Sequence, residues 1–281
     1  MEVLFHYATT DEACFYEVKS RQADKKVQFG TNAEDLELKK LLWSGLLNAI
    51  ESRDGNAIML AKTSNFIKYL LLYIDSANSS YAVTRWSLPQ LRELQGHALS
   101  VLSNIVLHMK DDFEEKKGIF CLTKFLSNAT DMERREKCLK AFANASLFDE
   151  SYKVKISEEG VIDYLLEFLQ GEENPIEIKE LCLTIIANLC NGCKKNKKLF
   201  REKHGVDILI TYLKDPDIAS SNRYVLLGLA LLNAIWNAVL GSRRSEERFL
   251  SNQGLFDLLE FIEVCDYVHR KMALSCVSFL T

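Results

Sequence analysis

Apolar residues recur along most of this chain at spacings of three and four, the period of one face of an α-helix. Segments such as VIDYLLEFL (161–169) and DILITYL (207–213) alternate with short polar stretches. Only 3 prolines and 12 glycines occur in 281 residues. Because proline and glycine end helices and shape tight turns, their scarcity favours helices over a turn-rich β fold. The pattern therefore predicts an all-α protein.

A glycine marks the same point in four segments that each join a short polar helix to an apolar one. These glycines are 42, 45 and 49 residues apart, and an asparagine stands in that place in a fifth copy. Glycine adopts the left-handed conformation without strain, and asparagine tolerates it next best, so each is predicted to form a left-handed turn. The residues are Gly118, Gly160, Gly205, Gly254 and Asn65.

A second marker, an asparagine in an apolar motif near the end of a longer helix, recurs in step with the first. It precedes the next turn residue by 14 to 17 positions in all five copies. Two markers with a shared period indicate internal repeats. The asparagines are Asn48, Asn104, Asn144, Asn188 and Asn237.

A short helix, a glycine turn, a second helix and a long third helix with a terminal asparagine resemble the armadillo repeat. The period fits the roughly 40–47 residues of that class. The resemblance implies a right-handed α-solenoid, in which stacked units bury faces that no single unit can cover.

The repeats predict a division of the chain. Residues 1–34 are expected to be a degenerate N-terminal repeat portion with residues 1–8 as its second helix, and residues 35–281 to be armadillo-like repeats. Within them we expect the last helix of a first unit at 35–51, then units at 52–109, 110–148, 149–191, 192–240 and 241–281. Loops are expected at Asp75–Pro89 and Lys214–Asn222.

The last unit is predicted to be truncated. Aligning residues 268–281 with 177–190 places Phe279 opposite Asn188, inside the motif that another unit should follow. A solenoid end needs a polar cap, and the apolar Met272, Val277 and Leu280 would have no next repeat to cover them. We therefore expect a segment or short isoform of a longer protein.

The stretch ANLCNGCKKNKKLFREKHG (187–205) contains a Cys-x-x-Cys pair and four lysines. A structural zinc site needs about four ligands, and Cys182 lies eight residues before Cys190 on the same helix, too far to share a metal. We interpret Asn191 and Gly192 as the end of one helix and the lysines as the solvated start of the next. A basic patch for an acidic partner and a nuclear address stay open as alternatives. The lysines are Lys194, Lys195, Lys197 and Lys198.

Other cysteines fit a packing role. Cys138 and Cys182 each stand six residues before their asparagine, and alanine takes that place at Ala98 and Ala273. The spacing predicts a column of small residues where helices approach closely, with cysteine acting as a small hydrophobe.

Charge and motifs exclude most other classes. The net charge is −4, so nothing favours nucleic acid globally. No apolar run reaches the roughly 20 residues of a membrane span, and no signal peptide is apparent, which predicts a cytoplasmic protein with reduced thiols. The common phosphate-binding, zinc-protease and serine-hydrolase motifs are missing. We therefore expect no enzyme, catalytic residue, cofactor, metal, small-molecule substrate, nucleic acid or membrane partner.

The asparagine column is the candidate binding surface. In armadillo proteins that bind extended peptides, such asparagines line the groove and form hydrogen bonds with the peptide main chain. The alternative for this chain is that each asparagine bonds only neighbouring backbone. Those proteins also place tryptophan four residues earlier, where this chain has Ser44, Ser100, Lys140, Thr184 and Asn233.

Trp236 is a further candidate for partner binding. The apolar Ile235 and Ala238 define the buried side of its helix, so the helical period predicts that Trp236 points away from the core. An outward tryptophan is a hot-spot candidate. The other interpretation tucks it under the loop after Leu240.

Several strings resemble, in order and spacing, the middle portion of the cilia- and flagella-associated protein 69 family. They are residues 8–20, 35–42, 86–103, 204–214 and 233–261. The resemblance implies a non-enzymatic scaffold in the axonemal central apparatus of motile cilia and flagella, with axonemal proteins as partners. The alternative is a cytosolic peptide-groove adaptor or transport-type armadillo protein.

Overall fold

The computed structural model describes residues 4–9, 33–61, 66–74 and 86–280. These residues form α-helices and two short 3-10 helices, with no strand among them. The chain divides into two compact units, Met1–Ala145 and Ser146–Thr281. The scarcity of helix breakers thus correctly predicts an all-α fold.

The first unit contains three long helices, α1, α4 and α7, in which α4 contacts both of the others. Shorter helices precede α4 and α7, and α3 packs on α6. The bounds are residues 4–9, α1 (Ala33–Glu51), α2 (Asp54–Ala61), α3 (Phe66–Ile74), α4 (Leu88–Ile105), a 3-10 turn (Val106–His108), α5 (Lys110–Glu115), α6 (Gly118–Asn128) and α7 (Met132–Ala145).

The second unit repeats a set of short, middle and long helices three times. Equivalent helices stack: α8 on α11 and α11 on α15, α9 on α12 and α12 on α16, α10 on α14 and α14 on α17. The bounds are α8 (Glu150–Glu158), α9 (Val161–Gln170), α10 (Ile176–Cys190), α11 (Lys194–Glu202), α12 (Gly205–Leu213), α13 (Pro216–Ser220), a 3-10 turn (Asn222–Tyr224), α14 (Val225–Ala238), α15 (Arg243–Ser251), α16 (Gly254–Val264) and α17 (Tyr267–Leu280).

The column of small residues lies in the core, as the spacing predicts. Ala98, Cys138, Cys182 and Ala273 are all fully buried in the long helices. A small side chain at this point lets the long helices pack closely, and the cysteines fill the space as small hydrophobes.

Residues 4–9 are helical, in agreement with the second helix predicted for residues 1–8. The carbonyl of Ala8 accepts hydrogen bonds from Lys39 Nζ at 2.6 Å and Trp43 Nε1 at 3.0 Å. Phe5 packs edge-on to Phe66 with ring centroids 4.9 Å apart. These contacts hold the N-terminal helix against α1 and α3.

The prediction that glycine adopts the left-handed conformation is wrong at three of the four described turns. Gly160 has φ +82°, but Gly118, Gly205 and Gly254 are the first residues of their helices. The left-handed residue there is the one before: Lys117, His204 and Gln253, with φ between 56° and 65°. The predicted fifth turn residue, Asn65, lies outside the described residues.

At those three turns glycine is required because there is no room for a side chain. Five residues before each glycine, the short helix has a buried phenylalanine: Phe113, Phe200 or Phe249. A Cβ on Gly254 would lie 2.7 Å from the Phe249 ring, and at the other two turns the overlap is greater. The ring therefore packs directly on the glycine backbone, which no other residue permits.

The loop predicted at Lys214–Asn222 is also wrong, because it contains the helix α13. Asp215 caps that helix by accepting a hydrogen bond from the Asp217 amide at 3.0 Å, and Pro216 occupies its first turn. Both residues are typical of helix starts. The other predicted loop is Asp75–Pro89. Its residues 75–85 lie outside the described residues, and its last two residues, Leu88 and Pro89, belong to α4.

Candidate protein-binding surfaces

The candidate asparagines lie near the ends of the long helices. Asn48 is exposed on α1, whereas Asn104, Asn144, Asn188 and Asn237 are half-buried. Each lies within three residues of the C-terminal end of its helix. The four half-buried asparagines therefore face both the protein and solvent.

Two of these asparagines connect successive structural elements. Asn144 Nδ2 donates to the Ser103 carbonyl of α4 at 2.7 Å, and Asn188 Nδ2 donates to Ser146 Oγ at 3.0 Å. These bonds span 41 and 42 residues of sequence. Both asparagines therefore help to hold successive elements together through contacts that are distant in sequence.

The other two half-buried asparagines bond within their own helices. Asn104 Nδ2 donates to the Ser100 carbonyl at 3.0 Å, and Asn237 Nδ2 donates to the Asn233 carbonyl at 3.0 Å and Oδ1 at 2.7 Å. A peptide would have to replace these bonds or bind through the amide oxygens. Ser100 and Asn233 occupy two of the positions where peptide-binding armadillo proteins have tryptophan, and here they serve as acceptors.

Trp236 points outward, as the helical period predicts, and 39% of its surface is exposed. It does not tuck under the loop after Leu240. Its ring instead packs edge-on to Phe279 of α17, with centroids 6.0 Å apart at 67°. Phe279, itself 53% exposed, is the residue that replaces asparagine in the last long helix.

Apolar and small polar side chains surround this aromatic pair and form what we call the Trp236 surface. Two shallow clefts of about 420 and 440 Å³ are both lined by Trp236 and Ser275. Sequence reasoning found Trp236 but not its partner, although the alignment of Phe279 with an asparagine was the available signal. The surface comprises Asn233, Trp236, Val268, Met272, Ser275 and Phe279.

The long helices of the first unit carry charges instead. Lys40 Nζ of α1 lies 2.9 Å from Glu93 of α4, and Lys137 pairs with Glu133 at 2.6 Å. His97 is half-buried between them, and burial together with Lys137 and Lys40 lowers its pKa. The cations and anions here largely neutralise one another.

A cleft of about 370 Å³ lies at the other end of α4, next to a buried arginine. Arg134 donates to Gln95 Oε1 at 2.6 Å and to Asp131 Oδ2 at 3.0 Å. Gln95 Nε2 in turn donates to the Tyr73 carbonyl at 3.0 Å. This network joins α3, α4 and α7, and no local sequence pattern indicates it because the partners are 22 and 39 residues apart.

The lysine run begins α11 as predicted, with Asn191 ending α10 and Gly192 at φ +70°. Lys194, Lys195 and Lys198 are exposed. As a group they stay candidates for a basic patch.

Lys197 does not belong to a solvated patch. It is half-buried, and its ammonium donates to the Leu240 carbonyl beyond the end of α14. Burial is the main cause that lowers its pKa. Lys153 makes the equivalent bond in the preceding helix set, to the Asn191 carbonyl at 2.9 Å. Both lysines satisfy carbonyls that a helix end leaves unpaired.

The Cys-x-x-Cys pair is part of the core. Cys190 and Cys193 are fully buried, and burial raises the pKa of Cys190 to about 12. A metal ligand or redox cysteine acts as a thiolate, which needs a lowered pKa. Among the described residues no group of three or more His, Cys, Asp or Glu side chains could hold a metal ion. Within the same residues, no helix has the length and apolarity to cross a bilayer.

The stacked sets of three helices define an armadillo repeat protein. A designed armadillo repeat protein of known structure superimposes on 90% of this chain and 96% of its own length, with a TM-score of 0.72 and 16% identity.

The sequence then narrows the class to one family. The family model described as "Cilia- and flagella-associated protein 69, ARM repeat" matches residues 1–146 and 129–281. The chain therefore belongs to the cilia- and flagella-associated protein 69 armadillo-repeat family.

Curated relatives agree with this assignment. The chain is 27% identical over 285 residues to cilia- and flagella-associated protein 69 of Papio anubis and 26% identical to that of Homo sapiens. Each match covers 89% of this chain and 30% of the relative. The chain thus spans about a third of the length of the relatives that it matches.

Proposed function

We propose that this chain is a non-enzymatic scaffold of motile cilia and flagella, which makes protein–protein contacts in the axonemal central apparatus. The observation that carries the proposal is the family match along the whole chain. Relatives from several mammals bear a cilia- and flagella-associated name. Stacked helices expose long faces rather than enclosing a reaction site, which suits binding of other proteins.

The division into repeats stands as part of this proposal. The helix sets begin at or within two residues of the starts predicted for the last four repeats, and the set before them begins at Asp54. The boundaries remain 35–51, 52–109, 110–148, 149–191, 192–240 and 241–281.

Chemistry in the core supports the non-enzymatic part. The thiols of Cys190 and Cys276 have raised pKa values because they are buried. The lowered pKa of Asp207 arises first from its hydrogen bond with Arg248, an ion pair between helices. These perturbed groups therefore serve packing and stacking.

For partner binding we propose the faces of the long helices. The Trp236 surface is the strongest part, because an exposed aromatic pair offers a large apolar area at low conformational cost. The asparagines contribute hydrogen bonds along the same helices. The proposed contact residues are Asn48, Asn104, Asn144, Asn188, Trp236 and Asn237.

The test compares variants of the tagged chain in a ciliated cell. The unsubstituted chain should concentrate in the axoneme and be cross-linked to axonemal proteins. Trp236→Ala should reduce that cross-linking by about tenfold, the loss of a modest hot spot. Phe256→Ala, an exposed aromatic change on α16, should leave it unchanged.

Stability separates binding from packing. Trp236→Ala should lower the free energy of unfolding by about 1 kcal/mol, the worth of an edge-on aromatic pair. A loss of several kcal/mol would make Trp236 a core residue. Uniform cytosolic staining, with cross-links to cargo-like basic peptides instead, would favour the transport-type alternative.

A further inference from the structure

Two adjacent short helices of the second unit each begin with a pair of cations. Lys194 and Lys195 start α11, and Arg243 and Arg244 start α15, at equivalent positions 49 residues apart. The equivalence is structural, since buried Phe200 and Phe249 keep the same offset. We call these four cations the basic edge.

The basic edge is exposed and largely unpaired. Lys194, Lys195 and Arg244 form no ion pair with any residue that the structure describes. Arg243 pairs only with Glu247 in its own helix at 2.9 Å, and its side chain is 90% exposed, so that pair is weak. The two helices are neighbours, and the bond of Lys197 to the Leu240 carbonyl brings α11 close to the start of α15.

These cations oppose the stability of their own helices. A helix start carries positive partial charge, which favours acids and disfavours bases in the first turn. The preceding short helix, α8, follows that rule with a capping Asp149 and with Glu150 in its first turn. The first turn of α11 contains no acid and that of α15 contains Glu246, and neither Cys193 nor Ser242 caps the amides of its helix with a side chain. Folding therefore does not explain why four cations stand here.

We propose that the basic edge binds an acidic segment of a partner protein. Packed helices lie roughly 8–10 Å apart, and an extended chain rises about 3.3 Å per residue. An Asp- or Glu-rich segment can therefore place carboxylates on both cation pairs at once. Arginine adds a planar fork that matches a carboxylate with two hydrogen bonds.

A polypeptide suits this surface better than nucleic acid. The chain as a whole has a net charge of −4, so a long polyanion is repelled outside the patch. The patch itself is confined to two helix starts. This surface lies on α11 and α15, whereas the Trp236 surface lies on α14 and α17, so the inference goes beyond the proposed function.

The experiment measures fluorescence anisotropy of a labelled twelve-residue oligo-glutamate with the 281-residue chain at low salt. Lys194→Glu/Arg244→Glu, one change on each helix, should weaken binding by about tenfold. The matched control, Arg53→Glu/Arg223→Glu, alters two other exposed cations and should change it less than twofold. Added salt should weaken binding of the unsubstituted chain.

Thermal unfolding distinguishes binding from a structural role. The charge-reversed variant should be as stable as the parent or more so, because acids suit a helix start. Lys194→Gln/Arg244→Gln, which only neutralises the charges, provides a second folded variant with a smaller loss of binding. Equal loss in the control, an unchanged affinity in both edge variants, or tighter binding of duplex DNA with the same charge would overturn the proposal.

Because the Trp236→Ala comparison uses axonemal cross-linking and this one uses a defined peptide, failure of either leaves the other interpretable.

Discussion

Glycine has two different tasks at the turns between short and middle helices. At Gly160 the backbone is left-handed and the nearest atom to an added Cβ is 3.9 Å away. At Gly118 the backbone is helical, but an added Cβ would overlap the Phe113 ring. The left-handed conformation there falls on Lys117, which is strained as a residue with a Cβ.

This division of tasks predicts opposite effects at neighbouring positions. Lys117→Gly should stabilise the protein by about 1 kcal/mol, because glycine relieves the left-handed strain. Gly118→Ala should destabilise it by about 1–3 kcal/mol, because Phe113 must move out of a packed core. Chemical denaturation of the two variants measures both. A destabilised Lys117→Gly beside an unaffected Gly118→Ala would show that the turn geometry is wrong.

At the scale of elements, ion pairs join helices of successive sets at one recurring position. Asp163 of α9 pairs with Lys203, which follows α11, and Asp207 of α12 pairs with Arg248 of α15. Asn252 Nδ2 also donates to Asp207 Oδ1 at 2.7 Å. The partners are 40 to 45 residues apart, so each pair reports correct stacking.

The Asp207 pair predicts a pH dependence. Its pKa is lower in the folded chain than the ordinary value of 3.8, chiefly because of Arg248. The stability that it contributes is therefore present above about pH 4 and is lost as the pH falls through the folded pKa. Asp207→Asn should cost about 0.5–1 kcal/mol at pH 6, and the difference from the parent should shrink towards pH 3.

Urea unfolding at both pH values measures this difference. Glu260→Gln, an exposed acid on α16, is the control and should show no such pH-dependent gap. A gap for Asp207→Asn that widens on acidification would contradict the assigned sign.

At the scale of the molecule, the second unit has its own complete set of stacked helices. Its short, middle and long helices each form a continuous column from α8–α10 to α15–α17. In α17, Met272, Val277 and Leu280 are half-buried, and the more exposed apolar residues are Tyr267, Val268, Leu274 and Phe279. The apolar exposure of α17 therefore centres on residues other than those expected from the sequence.

The second unit should accordingly fold without the first. Residues 146–281 expressed alone should show a helical circular dichroism spectrum and a cooperative thermal transition, because repeat arrays gain stability from nearest-neighbour interfaces. The transition of residues 146–281 should lie within about 10 °C of one in the whole chain, a shift of roughly 2 kcal/mol. A non-cooperative thermal transition would show that the second unit is not a stable folding unit by itself.

The sequence alone determined the helices other than α13, their order in sets and the buried small residues of the long helices. Those features depend on local rules, since the 3.6-residue period and the small side chains at Ala98, Cys138, Cys182 and Ala273 are visible in one dimension. The outward direction of Trp236 followed from the same period. The basic run was visible, but which of its lysines remain exposed was not.

Only the tertiary structure decided which residue at each turn is left-handed, because that depends on where a phenylalanine of another helix packs. It also decided that Lys197 bonds the Leu240 carbonyl and that Phe279 packs on Trp236, partners 43 residues apart in each case. Such contacts form when stacking brings distant positions together, so side-chain distance rather than sequence spacing determines them. Packing between repeats thus separates the structural lysine from the exposed cations beside it.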